Sequence, residues 1–200
     1  MRALLASVLG APVFASTAVG QTADQPKVSV GDEWRFVVYW GTPSAEPNRV
    51  WVVTSVTHAG IEGTENGEPL RLTSELNVLE SPRHTDSNPK ALSFPLEVGK
   101  RWRYTSDWVF KVKGSRGTAD IDVAVVGHER VRVPAGEFDA FKLVSKGVIG
   151  GTSGINSVIS AETSATYWYA PAARTVVKSV SRNPYLGTST VELVAFHVLP

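Results

Sequence analysis

One pattern occurs twice in this chain. Residues 28–40 read V-S-V-G-D-E-W-R-F-V-V-Y-W, and residues 96–108 read L-E-V-G-K-R-W-R-Y-T-S-D-W. Gly31, Trp34, Arg35, Phe36 and Trp40 return as Gly99, Trp102, Arg103, Tyr104 and Trp108, each 68 positions later. The repeated aromatic positions within each copy, 34, 36 and 40 and then 102, 104 and 108, are separated by even numbers. Side chains alternate along a strand, so each copy puts these aromatic residues on one face. This predicts two related β-units, about residues 27–80 and 91–200, that share one aromatic-rich interior.

The rest of the chain agrees with a β reading. Val, Thr, Trp, Tyr and Phe are dense, and Gly and Pro interrupt them at short intervals, as in antiparallel β-domains. No stretch of ten or more residues carries a 3.6-residue apolar period. The clearest strand is 101–113. Trp102, Tyr104, Ser106, Trp108, Phe110 and Val112 share one face, and nearly all residues on the other face are polar, so one side is buried and the other solvated. Further strands are expected near 49–57, 70–79, 119–127, 138–146, 164–170, 175–182 and 190–199. The expected fold is all-β: an antiparallel β-barrel or β-sandwich of about nine or ten strands, a single domain over residues 21–200.

Turn chemistry marks the connections. Asn66-Gly67 is the strongest short hairpin signal, because both residues accept positive φ. Val133-Pro134-Ala135-Gly136 reads as a turn in which Pro presets φ. Residues 81–90 contain Pro82 and Pro89 among polar neighbours, which argues against a central strand and for a link between the two units. Residues 147–154 contain Gly147, Gly150, Gly151 and Gly154 and are expected to form a mobile loop, because glycine loses much entropy on ordering.

The N-terminus has the layout of a secretory signal peptide over residues 1–20. Met1-Arg2 precedes an apolar stretch broken by Ser7, Gly10 and Pro12, and small residues follow. It is too short and interrupted to span a membrane, and no later segment approaches the ~20 apolar residues a spanning helix needs. The expected location is periplasmic or secreted. The chain has no cysteine, which excludes disulfides, thiolate metal sites and a lipid-acceptor cysteine. A domain of this size buries ~70 % of its unfolded surface and does not need such staples. Without Arg2 the basic residues equal the 19 acidic ones. That balance argues against nucleic acid, which demands clustered positive charge.

Several positions carry a family resemblance. Leu96, Val98, Gly99, Trp102 and Tyr104 form one group; Val133, Pro134, Ala135, Gly136, Phe138 and Ala140 a second; Trp168, Tyr169, Pro171, Val177 and Lys178 a third. This string resembles a TapB-like family of exported β-proteins of the Gram-negative envelope, domains of unknown function. The first half of the chain matches only through Gly31, Trp34 and Phe36. The resemblance implies an all-β envelope protein and brings no catalytic residues. The chain departs from the family at two points. Many relatives have a glycine where this chain has Ala172-Ala173-Arg174-Thr175, and many are lipoproteins, whereas this chain has no cysteine.

The search for chemistry gives little. His58, His84, His128 and His197 have no ligand spacing. His84 and Asp86 could share a cation, although a solvated loop is the ordinary explanation; His197 reads as a hydrogen-bonded histidine at the core edge. Asp120 and Asp122 flank Ile121 and share a strand face. Paired carboxylates can bind calcium or divide acid and base roles, but here they read as the solvent face of a strand. Gly151-Thr152-Ser153-Gly154 has neither nucleophile-elbow spacing nor a following helix, and Gly150-Gly151-Thr152 lacks the lysine of a P-loop. No metal or cofactor is expected.

The aromatic set is what remains. Trp34, Trp40, Trp102, Tyr104, Trp108 and Phe110 are the candidate ligand-binding residues, with plain core as the alternative. The leading functional expectation is an exported, non-catalytic β-domain. It would bind an apolar, lipid-like or sugar-like small molecule, or an envelope protein, through an aromatic-lined interior. The 147–154 loop would act as its lid. The alternatives are a small envelope hydrolase or isomerase using Asp107, Asp139, His128 or Glu137 at the barrel mouth, and a purely structural envelope module with a filled core. The enzyme reading requires a carboxylate or histidine buried beside the aromatic interior.

Overall fold

The computed structural model describes residues 21–41, 48–111, 114–153, 157–183 and 187–200; the leader expected at 1–20 lies outside these. The alternation expected from residue 101 onward is present. Along Arg101–Phe110 each even-numbered residue is at least partly buried and each odd-numbered one is exposed. Alternation of this kind, repeated from strand to strand, is the residue-level cause of the fold.

The strands are β1 (Thr22–Ala23), β2 (Glu33–Trp40), β3 (Arg49–Thr57), β4 (Gly60–Glu65), β5 (Glu68–Leu72), β6 (Val78–Glu80) and β7 (His84–Asp86) in the first half. The second half has β8 (Leu96–Glu97), β9 (Arg101–Phe110), β10 (Ser115–Val133), β11 (Gly136–Ser153), β12 (Ser157–Ala170), β13 (Thr175–Asn183) and β14 (Gly187–His197). β1 and β8 form a small separate pair. The other twelve close into a barrel in the order β10-β11-β12-β13-β14-β2-β3-β4-β5-β6-β7-β9. The sandwich alternative is therefore excluded, and the expected nine or ten strands become twelve. The difference lies in short strands. The stretch expected as one strand at 70–79 is two, β5 and β6, divided by a turn in which Leu76 takes φ 64°. β4 and β7 had no expected counterpart.

β7 also corrects the reading of 81–90 as a link. Pro82 and Pro89 lie outside the paired residues, so neither removes a ladder donor. His84, Thr85 and Asp86 pair with Phe110, Val109 and Trp108, and Thr85 pairs with Glu80. This short strand closes the ring.

The turn signals hold. Asn66 (φ 55°) and Gly67 (φ 86°) join β4 to β5, and Pro134-Ala135 join β10 to β11. The two copies of the opening pattern also make the same turn. Gly31 N–H donates to Val53 and Val53 N–H to Asp32; Gly99 N–H donates to Val125 and Val125 N–H to Lys100, all at 2.9 Å. Gly31 and Gly99 have φ of 95° and 98°, a region that favours glycine.

The 147–154 segment is not a loop over its described residues. Gly147, Gly150 and Gly151 lie inside β11, paired to both β10 and β12; Gly154 lies outside the described residues. The glycines serve close approach. A methyl group on Gly147 would run into the Asp120 carbonyl and the Ile121 backbone, and one on Gly117 into Gly150. The described residues 147–153 therefore form strand and no lid.

One end of the barrel is closed. A bulge between Val125 and Gly127 bends the β10–β11 hairpin. Its tip reaches β14, where Ala135 N–H donates to the Leu193 carbonyl at 3.0 Å and Phe138 packs on Phe196 with ring centroids 5.9 Å apart. The same end holds a fully buried carboxylate. Asp32 accepts from the N–H groups of Ser29 at 2.9 Å and Leu199 at 2.8 Å and lies 3.7 Å from Arg174. Arg174 has φ 53°, the left-handed conformation that glycine adopts at less cost. Its guanidinium also donates to the Lys27 carbonyl at 2.8 Å, so a side-chain tether holds this residue in place.

Replacing Gly147 by Ala is expected to destabilise the protein by roughly 2–4 kcal/mol, because backbone of β10 must move. Urea unfolding of the two proteins measures it, with Gly127→Ala, a β10 position without positive φ whose added methyl meets nothing within 4 Å, as the control for the substitution without the clash.

Candidate functional site

The barrel interior divides into a filled part and an open part. The segment 87–95, between β7 and β8, crosses the inside. Leu92 is buried, and Asn77 clasps it twice, accepting from the Leu92 N–H at 2.8 Å and donating to its carbonyl at 3.0 Å. Phe94 packs edge-on against Tyr169 at 5.0 Å, and its N–H donates to Glu75 at 2.7 Å. Above this floor lies a cavity of about 330 Å³ that opens to solvent, within the usual range for small-molecule sites.

The cavity wall is mixed. Phe36, Trp51, Val176 and Val191 supply apolar surface, and Leu76, Ala91 and Leu92 the apolar floor. Polar groups enter at Arg49, His84, Asp86, Tyr104, Tyr167 and Ser179. On β13 the lining residue between Tyr167 and Val191 is Ser179, whose small side chain leaves room in the cavity.

Burial sets the electrostatics. Asp86 has its carboxyl pushed up to about 6, first by burial and then by the charge of Asp107, against a hydrogen bond from Asn88 N–H that lowers it. The Ser106 hydroxyl also donates to Asp86. Burial, then Lys111, lowers His84, so its imidazole is neutral at pH 7. Burial raises Tyr104 and Tyr167, with a Ser145 hydrogen bond opposing the shift at Tyr167. Protein surrounds Tyr167 while part of its ring stays accessible; that accessible part is cavity wall.

The six aromatic residues expected to bind ligand are distributed unevenly. Tyr104 lines the cavity. Trp34 lies below it, 1 % exposed, with its indole N–H donating to Ala173 at 2.8 Å. Trp102 donates to the Lys90 carbonyl at 2.7 Å and carries the Lys100 ammonium 5.5 Å from its ring, which ties the crossing segment to β9. Trp108 is half-buried, and its enclosed indole nitrogen has no partner among the described residues. Trp40, at the end of β2, is 58 % exposed, and Phe110 ends β9 beside His84.

Of the acid–base candidates, Asp107 is exposed, Asp139 and Glu137 pair outside with Arg130 and Arg132, and His128 packs on Phe141. None of the four lines the cavity. His84 and Asp86 do, so the carboxylate and histidine that an enzyme reading requires come from β7. Sequence reasoning treated this pair as loop. The usable signal was the His-Thr-Asp spacing, which places residues i and i+2 on one strand face. Arg49, Trp51 and Tyr167 were also missed; Arg49 is the first residue of an expected strand, where a charge ordinarily reads as solvated. Among the described residues no three His, Cys, Asp or Glu side chains cluster to hold a metal ion. No helix among them is long and apolar enough to cross a membrane.

No family model and no curated protein matches the sequence. Solved structures do share the fold. A protein from Bacteroides fragilis, described as exported and of YmcC-like fold, superposes with a TM-score of 0.52 at 17 % identity, covering 88 % of this chain and 99 % of that one. A protein from Parabacteroides distasonis described as a lipoprotein gives 0.54 at 17 % identity, with the same coverage. The hypothetical lipoprotein YmcC of Escherichia coli gives 0.50 at 11 % identity, covering 84 % and 85 %. At these identities the likeness is one of fold.

Asp86→Asn tests the cavity electrostatics. The folded value of Asp86 lies above that of an unfolded aspartate, so the folded chain holds the extra proton between about pH 4 and 6. Through this group, stability falls as pH rises across that window. The Asn variant is expected to exceed the parent at pH 8 by roughly 1 kcal/mol, about 2–4 °C in Tm, and to match it near pH 4.5. Thermal melts at the two pH values check the sign.

Proposed function

We propose that this chain is an exported β-barrel that holds an apolar or amphipathic small molecule in its open interior without altering it chemically. The observation that carries this reading is the cavity of about 330 Å³ above a closed floor. One barrel end is sealed by a bent hairpin and a crossing segment, while the other stays open, and a wholly structural module would have no reason to keep such a void. The lining pairs a broad apolar surface with a few polar groups, the usual composition of a ligand site. The leader pattern at 1–20, the TapB-like string and the fold shared with proteins described as exported or as lipoproteins support a periplasmic or secreted setting. An envelope protein could dock at the same mouth, where Trp40 is exposed. The identical turns at Gly31 and Gly99 support a division into two related units.

A second reading has one observation in its favour. A carboxyl held at about 6 beside two tyrosines is suited to proton transfer near neutral pH, as a small hydrolase or isomerase would need. A turnover lost in Asp86→Asn, with ligand affinity retained, would establish it over simple binding.

The binding reading is tested by filling the cavity. Ser179→Phe puts a ring into the open space and is expected to abolish uptake of the neutral fluorophore N-phenyl-1-naphthylamine while keeping Tm within about 5 °C of the parent, because the ring enters a void and not a packed site. Unchanged uptake would place binding outside the barrel.

A further inference from the structure

Resting on the reading of the interior as a binding cup, we propose that its ligand carries an anionic oxygen head group, a carboxylate or a phosphate ester, seated on Arg49 with its apolar part directed toward the Leu92 floor. Arg49 is the first residue of β3, paired with Phe36, and its side chain lines the cavity. Burial is the largest influence on its guanidinium, which is lowered from its ordinary value. Its side chain is still 31 % exposed, so the guanidinium is partly desolvated, a cost that satisfied donors offset.

Among the described residues they are not met. The one ion pair Arg49 makes among the described residues is with Glu65, at 3.6 Å from Nε, beyond hydrogen-bond range. The same Glu65 oxygen already accepts the Trp51 indole N–H at 2.9 Å. The Nη groups of Arg49, which form the fork that matches an oxyanion, make no hydrogen bond to the described residues. The charge around it also favours an anion. Arg83 is close enough to act on Arg49 and has no ion pair among the described residues. Lys111 and Arg71 share Glu80. Glu65 lies 3.6 Å from Arg49 outside the cavity lining, and the lining carboxyl, Asp86, is pushed up to about 6 by burial. His84 is neutral. Phe36, Trp51 and Val191 then offer apolar surface below the head group.

The experiment is displacement of N-phenyl-1-naphthylamine at pH 7.5 by dodecanoate, dodecyl phosphate and dodecanol, three ligands with one tail and different heads. The parent protein is expected to prefer at least one of the anions over dodecanol by about 10-fold or more, the worth of a charge-assisted hydrogen bond. Arg49→Gln is expected to remove that preference and leave dodecanol affinity unchanged. Whichever anion is preferred distinguishes the carboxylate source from the phosphate. Should Arg49→Gln fail to give the parent's melting curve, Arg83→Gln at an exposed position supplies the test, with a smaller loss for the anions alone. Equal affinity for all three ligands in the parent, or a preference that survives both substitutions, overturns the assignment of Arg49 and leaves the cup standing. If none of the three displaces the fluorophore, or it does not bind, the cup itself is refuted and the assignment falls with it.

Discussion

A ring of twelve strands encloses more volume than its inward side chains can fill. Eight strands are about the number whose interior side chains just close the space, so a wider barrel must be plugged or stay hollow. This protein does both. Its lower interior is occupied by a backbone segment clasped by Asn77 and by a hairpin bent at the Val125–Gly127 bulge. Its upper interior is left open, bounded by the small Ser179 on β13 and by tyrosines on β9 and β12. The cavity is thus a consequence of strand number as much as of any residue in its wall.

The closed end is held by polar groups as well as by core packing. Asp32 is fully buried and gathers the N-terminal segment, the C-terminal segment and the Pro171–Ala173 turn through two backbone N–H groups and Arg174. A buried carboxylate is tolerable when its oxygens accept hydrogen bonds and a cation stands nearby, and this one meets both conditions. In the second copy of the pattern the corresponding residue is Lys100, whose ammonium donates to the carbonyls of Ser93 at 2.5 Å and Pro95 at 2.9 Å. The two copies therefore use opposite charges for the same task of fastening irregular chain to the barrel.

Much of the fold was legible in the sequence, because it rests on local rules. The strand expected at 49–57 is β3 over the same residues. The one expected at 101–113 starts as expected and ends at Phe110, with 112 and 113 outside the described residues. Turn chemistry located the hairpins at Asn66-Gly67 and Pro134-Ala135. Failures came where tertiary context overrides local preference. Gly147, Gly150 and Gly151 read as a loop because glycine is entropically costly to order, yet at Gly147 and Gly151 the crowding of β10 against β11 admits nothing larger. β7 was hidden because three residues between prolines carry almost no periodic signal. The site was hidden for a related reason. The aromatic residues of the duplicated pattern are conspicuous in the chain, but only Tyr104 among the six lines the cavity, while Arg49, His84 and Asp86 look like ordinary surface charges until the ring closes around them.

The closure at β7 has a mechanical consequence. A barrel is as stiff as its weakest seam, and here β6 and β7 meet through one registered pair while β10 and β11 are matched along seventeen. Resistance to deformation is therefore graded around the circumference, with the compliant sector carrying His84 and Asp86. Under the proposed binding reading, a guest larger than the resting space would meet least opposition on that side, where widening the ring separates few backbone hydrogen bonds. The groups proposed to meet it sit on the least firmly paired part of the ring.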